Sequence, residues 1–258
     1  MNSQWIEEHL TPYLPAGTDL SVYCRPLDSE EPVVYHERVL PSASLIKLPV
    51  MSAFFRKEKE GAVSFSEKLR ITSPVEGGSY YKRGGAMATI SELIFHMIVE
   101  SDNTCTNVLI DRLGMEAVNE EIRCLGLTHT VMQRKMMDFI ASRDGRENMT
   151  TVSDMGRFFS LLSEGRAVDA VRDQRMLDIL SQQEDNCILP AQLPHTVRVD
   201  HKTGELDGIY HDCGLIYAPS GPFIFCLMAD GVSDEPRLFY GLSYFTRAVY
   251  DELARSQG

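Results

Sequence analysis

The sequence predicts a mixed α/β (α+β) fold: an antiparallel sheet assembled from both ends of the chain and flanked by helices, with an all-helical lobe inserted between them. Three observations lead there. Short β-branched and aromatic runs lie near the start, helical periodicity fills the middle, and strand-like runs return after Pro190 ahead of one last helical segment. One domain with two lobes follows, with residues 1–41 plus 186–258 as the sheet lobe and 42–185 as the helical lobe.

Residues 4–14 fit a short amphipathic helix, and Leu20-Ser21-Val22-Tyr23-Cys24 and Val33-Val34-Tyr35 fit two strands bounded by Pro, Asp and Ser. From Ser44 the apolar residues Leu45, Leu48, Val50, Met51, Phe54 and Phe55 recur at helical steps until a charged stretch ending at Gly61, so a helix opens at or just before Ser44. Glu76 to Gly85 is Gly-rich and loop-like. Thr89 followed three residues later by Glu92 is a capping-box signature for a helix running toward Val99. Further helical segments span 103–113, 115–124, 151–164 and 168–182. Beyond Pro190, Val197-Arg198-Val199, Gly214 to Tyr217 and Phe223 to Met228 read as strands, and Arg237 to Ala254 as the final helix.

Of 258 residues, 43% are hydrophobic and 24% charged, which supports a well-buried core without staples. The net charge of −12 repels phosphate backbones, so nucleic acid is not an expected partner. The longest apolar runs, Leu48 to Phe55 and Phe223 to Met228, fall well short of the roughly 20 residues that cross a bilayer, so no membrane partner is expected either. Met1 to Leu14 carries Glu7 and Glu8 and has no basic and apolar leader pattern, which reads as a cytoplasmic chain. Cys24, Cys105, Cys124, Cys187, Cys213 and Cys226 are widely spread with no C-x-x-C pair, which fits reduced thiols and gives no zinc signature.

Three short motifs carry chemistry. In Ser44-Leu45-Ile46-Lys47 the hydroxyl and the amine lie one helical turn apart, so the lysine can take the serine proton. Ser101-Asp102-Asn103 falls between two helical patterns, where a serine can relay protons and an amide can donate to a substrate carbonyl. Lys202-Thr203-Gly204 sits at the end of the Val197-Arg198-Val199 pattern, where an edge strand with a glycine admits an extended ligand and Lys with Thr can bind a carboxylate. Alone, each has an ordinary counterpart: a helix N-cap with an exposed lysine, a helix cap, since Ser, Asp and Asn are all favoured capping residues, and a turn at a strand end. Ser79-Tyr80-Tyr81-Lys82 repeats the first pattern inside the Gly-rich loop and shows how easily it arises.

Together, in this order and spacing, the three motifs resemble those of the penicillin-recognising serine hydrolases, specifically the class A β-lactamase-like family, over nearly the whole chain. The resemblance implies a serine hydrolase that forms an acyl-enzyme without a cofactor on a small β-lactam, amide or ester. It implies Ser44 as the acylated nucleophile, Lys47 as its base, Ser101 as the proton shuttle and Asn103 as a binder of the substrate amide. It further implies that Lys202 and Thr203, with Gly204 beside them, hold a substrate carboxylate, and that the backbone amides of Ser44 and Glu205 form the oxyanion hole.

One departure stands out against that family, which carries a glutamate in an E-x-x-x-N-like loop to activate the deacylating water. Here the region reads Gln133-Arg134-Lys135-Met136-Met137-Asp138, with Met136 where the glutamate would fall. Asp138 and Glu147 are the candidate substitutes, each also readable as an ordinary loop carboxylate. Three functions stay open: β-lactam hydrolysis with slow deacylation, a cytoplasmic esterase or amidase on the same scaffold, and a penicillin-binding sensor that keeps its adduct. His211-Asp212-Cys213, with His195 and His201, is set aside as a metal or Cys–His site because strand neighbours point to opposite faces. Cys105 reads as a core residue.

Overall fold

The computed structural model describes residues 2–10 and 12–255. Helix α1 (Ser3–Leu10) leads into β1 (Asp19–Pro26), β2 (Val33–Tyr35) and the short β3 (Leu40–Pro41). A 3-10 turn at Ala43–Ile46 continues directly into α2 (Lys47–Lys59), followed by β4 (Lys68–Arg70), a second 3-10 turn at Ser79–Lys82 and β5 (Met87–Thr89). The helical middle comprises α3 (Ile90–Val99), α4 (Asn103–Leu113), α5 (Met115–Leu125) and α6 (Phe139–Arg143), then β6 (Met149–Thr150), α7 (Val152–Ser163) and α8 (Ala170–Leu180). Strands β7 (Val199–Leu206), β8 (Ile209–Ala218) and β9 (Gly221–Asp230) precede α9 (Glu235–Arg255).

The main sheet runs in the order β2-β1-β9-β8-β7 with every pairing antiparallel, so strands from the two chain ends meet at β1 and β9. Both faces are covered, which explains why β9 is apolar at nearly every position. Ile224, Cys226 and Met228 enter the core shared with the helical middle, while Phe223, Phe225, Leu227 and Ala229 join the core beneath α1 and α9. Helix α2 threads the first of these cores and is buried from Lys47 through Phe55. No described helix is long and apolar enough to cross a membrane.

Local chemistry sets the helix starts around the cleft. Thr89 and Glu92 close the capping box in both directions at the start of α3, satisfying two otherwise orphaned N–H groups. Asp102 caps α4 by accepting from the Cys105 N–H at 2.8 Å.

Two expectations need correction. The helix over 4–14 ends at Leu10, because Pro12 has no N–H to continue the ladder. Residue 11, like residues 1 and 256–258 of the expected sheet lobe, lies outside the described residues. The strand expected at 197–199 instead spans Val199–Leu206, which places Lys202-Thr203-Gly204 inside a strand rather than at its end. Its residues Asp200, His201, Lys202 and Thr203 are polar yet buried, so no apolar alternation marks them.

Candidate active site

Ser44 lies in the 3-10 turn before α2, anchored by the buried side chains of Leu45 and Ile46. The preceding residue, Ala43, has φ 46°, a left-handed conformation costly for a residue with a Cβ. Pro49 falls in the first turn of α2, where its missing N–H costs the helix nothing. Lys47 opens that helix one turn beyond Ser44 and is fully buried. Gly204 of β7 packs against this turn so closely that a Cβ there would lie 3.2 Å from the Ser44 nitrogen. The glycine is what lets the strand reach the serine backbone.

The Lys47 amine donates to the Ser101 carbonyl at 2.6 Å, the Ser101 hydroxyl at 3.0 Å and the Asn103 side-chain oxygen at 2.8 Å. The Lys202 amine reaches the same Ser101 hydroxyl at 3.1 Å and donates to the Thr203 carbonyl at 3.0 Å. Two buried amines therefore converge on one hydroxyl. Burial first, and then the neighbouring Lys202 charge, hold the Lys47 amine well below its usual value. Burial also lowers Lys202, to about 8, against the opposing pull of Asp212 and Asp185. Each amine therefore gives up its proton more readily than an exposed lysine does, and the free amine can accept one.

Ser101 is itself held at φ 55° in the corner between α3 and α4. Asp102, fully buried, braces that corner by accepting from the Tyr80 N–H at 2.7 Å as well as capping α4. Asn103 donates from its amide to the Glu76 carbonyl at 2.9 Å. Gly77 and Gly78 press onto this corner: a Cβ on the first would lie 2.4 Å from the Asn103 amide nitrogen, and one on the second 2.2 Å from an Asp102 oxygen. The cap at Asp102 matches the ordinary reading of Ser101-Asp102-Asn103, whereas the support from the two glycines is what sequence reasoning missed, and the Gly-Gly pair was its only signal. Ser79 sits exposed on the same loop, its N–H donating to Glu100 at 3.1 Å, and Lys82 is likewise exposed.

On the other side of Ser44 runs β7, the open edge of the sheet. The Tyr217 N–H donates to the Arg198 carbonyl, which fixes the even-numbered residues of β7 as those bonded to β8. Thr203 and Glu205 occupy the alternate positions, so their N–H groups face the open edge. A cleft of about 660 Å³ lies here, bounded by Ser44, Ser101, Asn103, Thr203, Gly204 and Glu205 among others. The structure thus brings Ser44, Ser101, Asn103 and the β7 residues to one cleft, with the amines of Lys47 and Lys202 buried behind Ser101.

A second, smaller hollow of about 100 Å³ adjoins Ser44, and Arg134, Met136, Met137, Phe139, Asn148 and Glu205 are among the residues that line it. Asn107 grips the Met136 backbone in both directions, accepting from its N–H at 2.8 Å and donating to its carbonyl at 3.0 Å. Met137 is left-handed at φ 63°. The two candidate carboxylates have other partners. Asp138 caps α6 by accepting from the Ala141 N–H at 3.0 Å, and Glu147 accepts from Arg134 at 2.7 Å and from Ser142 at 3.0 Å.

The histidines set aside earlier are dispersed. His201 pairs with Asp212 at 2.8 Å in the interior, His211 donates to the Pro41 carbonyl at 2.9 Å, and His195 is exposed. Cys105 is buried in the core of the helical middle.

A model of the beta-lactamase enzyme family matches residues 6–253. No curated protein matches the chain. Among solved structures, a leucine-to-glutamate variant of PBP-A, in its acyl-enzyme complex with penicillin-G, is 27% identical with a TM-score of 0.89, covering 98% of this chain and 96% of that one. A beta-lactamase from Sphaerobacter thermophilus is 24% identical with a TM-score of 0.88 over 98% of each chain. An ancestral class A beta-lactamase is 22% identical with a TM-score of 0.87, covering 97% of this chain and 99% of that one. With a family match over nearly its whole length, the chain belongs to the beta-lactamase enzyme family and is a serine β-lactamase-like hydrolase, and it shares its fold with the class A enzymes.

Proposed function

We propose that the chain opens a β-lactam amide by acylating Ser44, and that release of the acyl group is its slow step. The reading rests on one observation above all: two buried amines converge on the Ser101 hydroxyl at 3.0 and 3.1 Å, beside the turn that carries Ser44. Lys47, whose buried amine gives up its own proton readily, takes the Ser44 proton in its free-amine form as the serine oxygen attacks the carbonyl carbon. The resulting oxyanion is held by the N–H groups of Ser44 and Glu205, a contribution of roughly 10²–10³ in rate per donor. The proton then passes through Ser101 to the leaving nitrogen, and the carbon–nitrogen bond breaks. Asn103 orients the substrate amide, while Thr203, with Lys202 behind it, takes a substrate carboxylate at the floor of the cleft. PBP-A, captured as an acyl-enzyme with penicillin-G, supports a β-lactam as the acyl donor.

Hydrolysis of the ester then needs a water with a base. The hollow next to Ser44 presents Met136 there, and Asp138 and Glu147 are engaged in a cap and an ion pair. General-base assistance is worth typically about 10²–10⁴-fold, so its absence slows release rather than acylation. The same observation favours a second reading, a penicillin-binding module that keeps its adduct.

A time course of intact mass with a penicillin, run beside a turnover assay, tests both. A rapid adduct with a burst and slow steady turnover is the expected result, lost in Ser44→Ala and retained in Ser79→Ala. An adduct that never turns over selects the binding module. Labelling that survives Ser44→Ala overturns the mechanism, and the absence of any β-lactam adduct redirects the reading to esters and other amides.

A further inference from the structure

The residues that lead into the Ser44 turn are held from two sides. Strand β3 pairs with β6 through Leu40 with Thr150 and Pro41 with Met149, and just beyond it the Ser42 N–H donates to the Asn148 carbonyl at 2.7 Å. Successive residues of a strand turn their backbone groups to opposite sides, so the Pro41 carbonyl points away from β6 and finds no partner in that ladder. Proline has no N–H, which leaves this carbonyl as the one backbone group on that side that needs a partner.

His211 of β8 supplies it. Its Nε2 lies 2.9 Å from the Pro41 oxygen, and because a carbonyl can only accept, Nε2 carries the proton. The residue is 1% exposed, its Nδ1 is buried with no hydrogen-bond partner among the described residues, and burial holds the imidazole below its usual value. His211 is therefore a neutral donor whose ring makes one bond. Its register partner is Gly204, and directly paired residues project from the same face of the sheet. On that face a Cβ at Gly204 would lie 3.2 Å from both the Ala43 Cβ and the Ser44 nitrogen, and 3.3 Å from the Ser42 oxygen. Residues 41–44 thus rest on β7 and β8, with the glycine giving room to the turn and the histidine pinning the residue that enters it.

The turn needs such a clamp. Ala43 sits at φ 46°, and a strained backbone persists only where its surroundings over-determine it. Building on the acylation of Ser44, we propose that His211 is a positioning residue for the nucleophile: by holding the Pro41 carbonyl it keeps the strained turn in place, and with it the Ser44 hydroxyl and the Ser44 N–H.

The test follows Ser44 adduct formation by intact mass, on the full chain, across a range of penicillin concentrations. It resolves the saturating rate, the half-saturating concentration and the fraction of molecules labelled. His211→Leu has no donor, whereas the longer amide of His211→Gln can reach the carbonyl again. A misplacement of about 1 Å costs up to about 10²-fold in rate, so the saturating rate of His211→Leu should fall about 10–100-fold. The half-saturating concentration should stay within about twofold, because Asn103 and Thr203 lie on other elements. His211→Gln should recover most of the rate. General damage lowers the labelled fraction instead, and leaves the rate of the molecules that do react unchanged. Equal rates in His211→Leu and the wild type, or equal losses in the leucine and glutamine variants, overturn the positioning role alone. Nitrogen-15 NMR of the histidine-labelled wild type, with the His211 signals assigned by their loss in His211→Gln, should show a neutral ring protonated on Nε2 near pH 7. A charged ring or a proton on Nδ1 overturns the proposal even if His211→Leu fails to fold. No Ser44 adduct in the wild type overturns the acylation reading and this proposal with it.

Discussion

The two walls that face Ser44 use their ionisable side chains in opposite ways. On the wall built from α2, the α3–α4 corner and β7, Lys47, Ser101 and Lys202 are turned toward one another and nothing apolar intervenes. On the wall built from residues 133–148, the carboxylates of Asp138 and Glu147 are turned to a helix cap and an arginine, and Met136 is among the residues lining the hollow beside the serine. Both walls contain a left-handed residue, Ser101 at φ 55° and Met137 at φ 63°. Each such residue costs of order 1–3 kcal/mol and persists because the surroundings over-determine it. The strain is alike, so the difference lies in the residue at each strained turn: a proton carrier on one wall, a methionine on the other.

The comparison breaks most visibly at Lys47. Lys47→Met keeps the volume of the buried stem but removes the base, so the rate of Ser44 adduct formation should fall by about 10²–10⁴-fold. Near-normal acylation in that variant, followed by intact mass, would move the base to another residue. Met136→Glu tests the opposite wall by placing a carboxylate in the hollow beside Ser44. Decay of the acyl-enzyme should speed up by about 10-fold or more, toward the range of general-base assistance. An unchanged slow phase would mean that the missing carboxylate is not what limits release.

A third test concerns the electrostatic tension of the polar wall. Lys202 has an ordinary value of 10.5 and a folded value of about 8, lowered by burial. Between those two values the unfolded chain holds a proton that the folded chain has released, so stability rises with pH across that window. Below it both states are protonated, and the folded protein carries the full cost of a buried ammonium. Lys202→Met has nothing to titrate there. In urea unfolding, its stability relative to the wild type should therefore drop steadily from pH 8 to 10.5, and a pH-independent difference would show that the burial of Lys202 is not opposed.

Much of this was legible in the sequence where the physics is local. The start of α3 follows from Thr89 and Glu92 alone, because a capping box is satisfied within four residues. The three motifs were legible as candidates for the same reason, and the structure brings their residues to one cleft. Strand β7 was not, since Asp200, His201 and Lys202 are buried through partners far along the chain, such as Asp212 and Ser101. Nor was the bracing of Ser101, which depends on Gly77 and Gly78 lying against Asn103 and Asp102 from a separate loop. Non-local burial leaves no periodic trace, and a polar residue that is buried looks the same in a sequence as one that is solvated.

The smallest expected effect separates structure from chemistry on the wall built from residues 133–148. Asp138 accepts from the Ala141 N–H at the start of α6, a five-residue helix at the rim of the hollow. Asparagine caps about as well as aspartate, so Asp138→Asn should leave stability nearly unchanged, whereas Asp138→Ala should cost about 1 kcal/mol. In a chain of this size that loss lowers the melting temperature by about 2–4 °C, which calorimetry resolves. Neither substitution should alter the decay of the Ser44 adduct, because the carboxylate is aimed at the helix and not at the hollow. Should Asp138→Asn stall that decay while leaving the melting temperature in place, the carboxylate would be acting on the water. The two walls would then differ in degree rather than in kind.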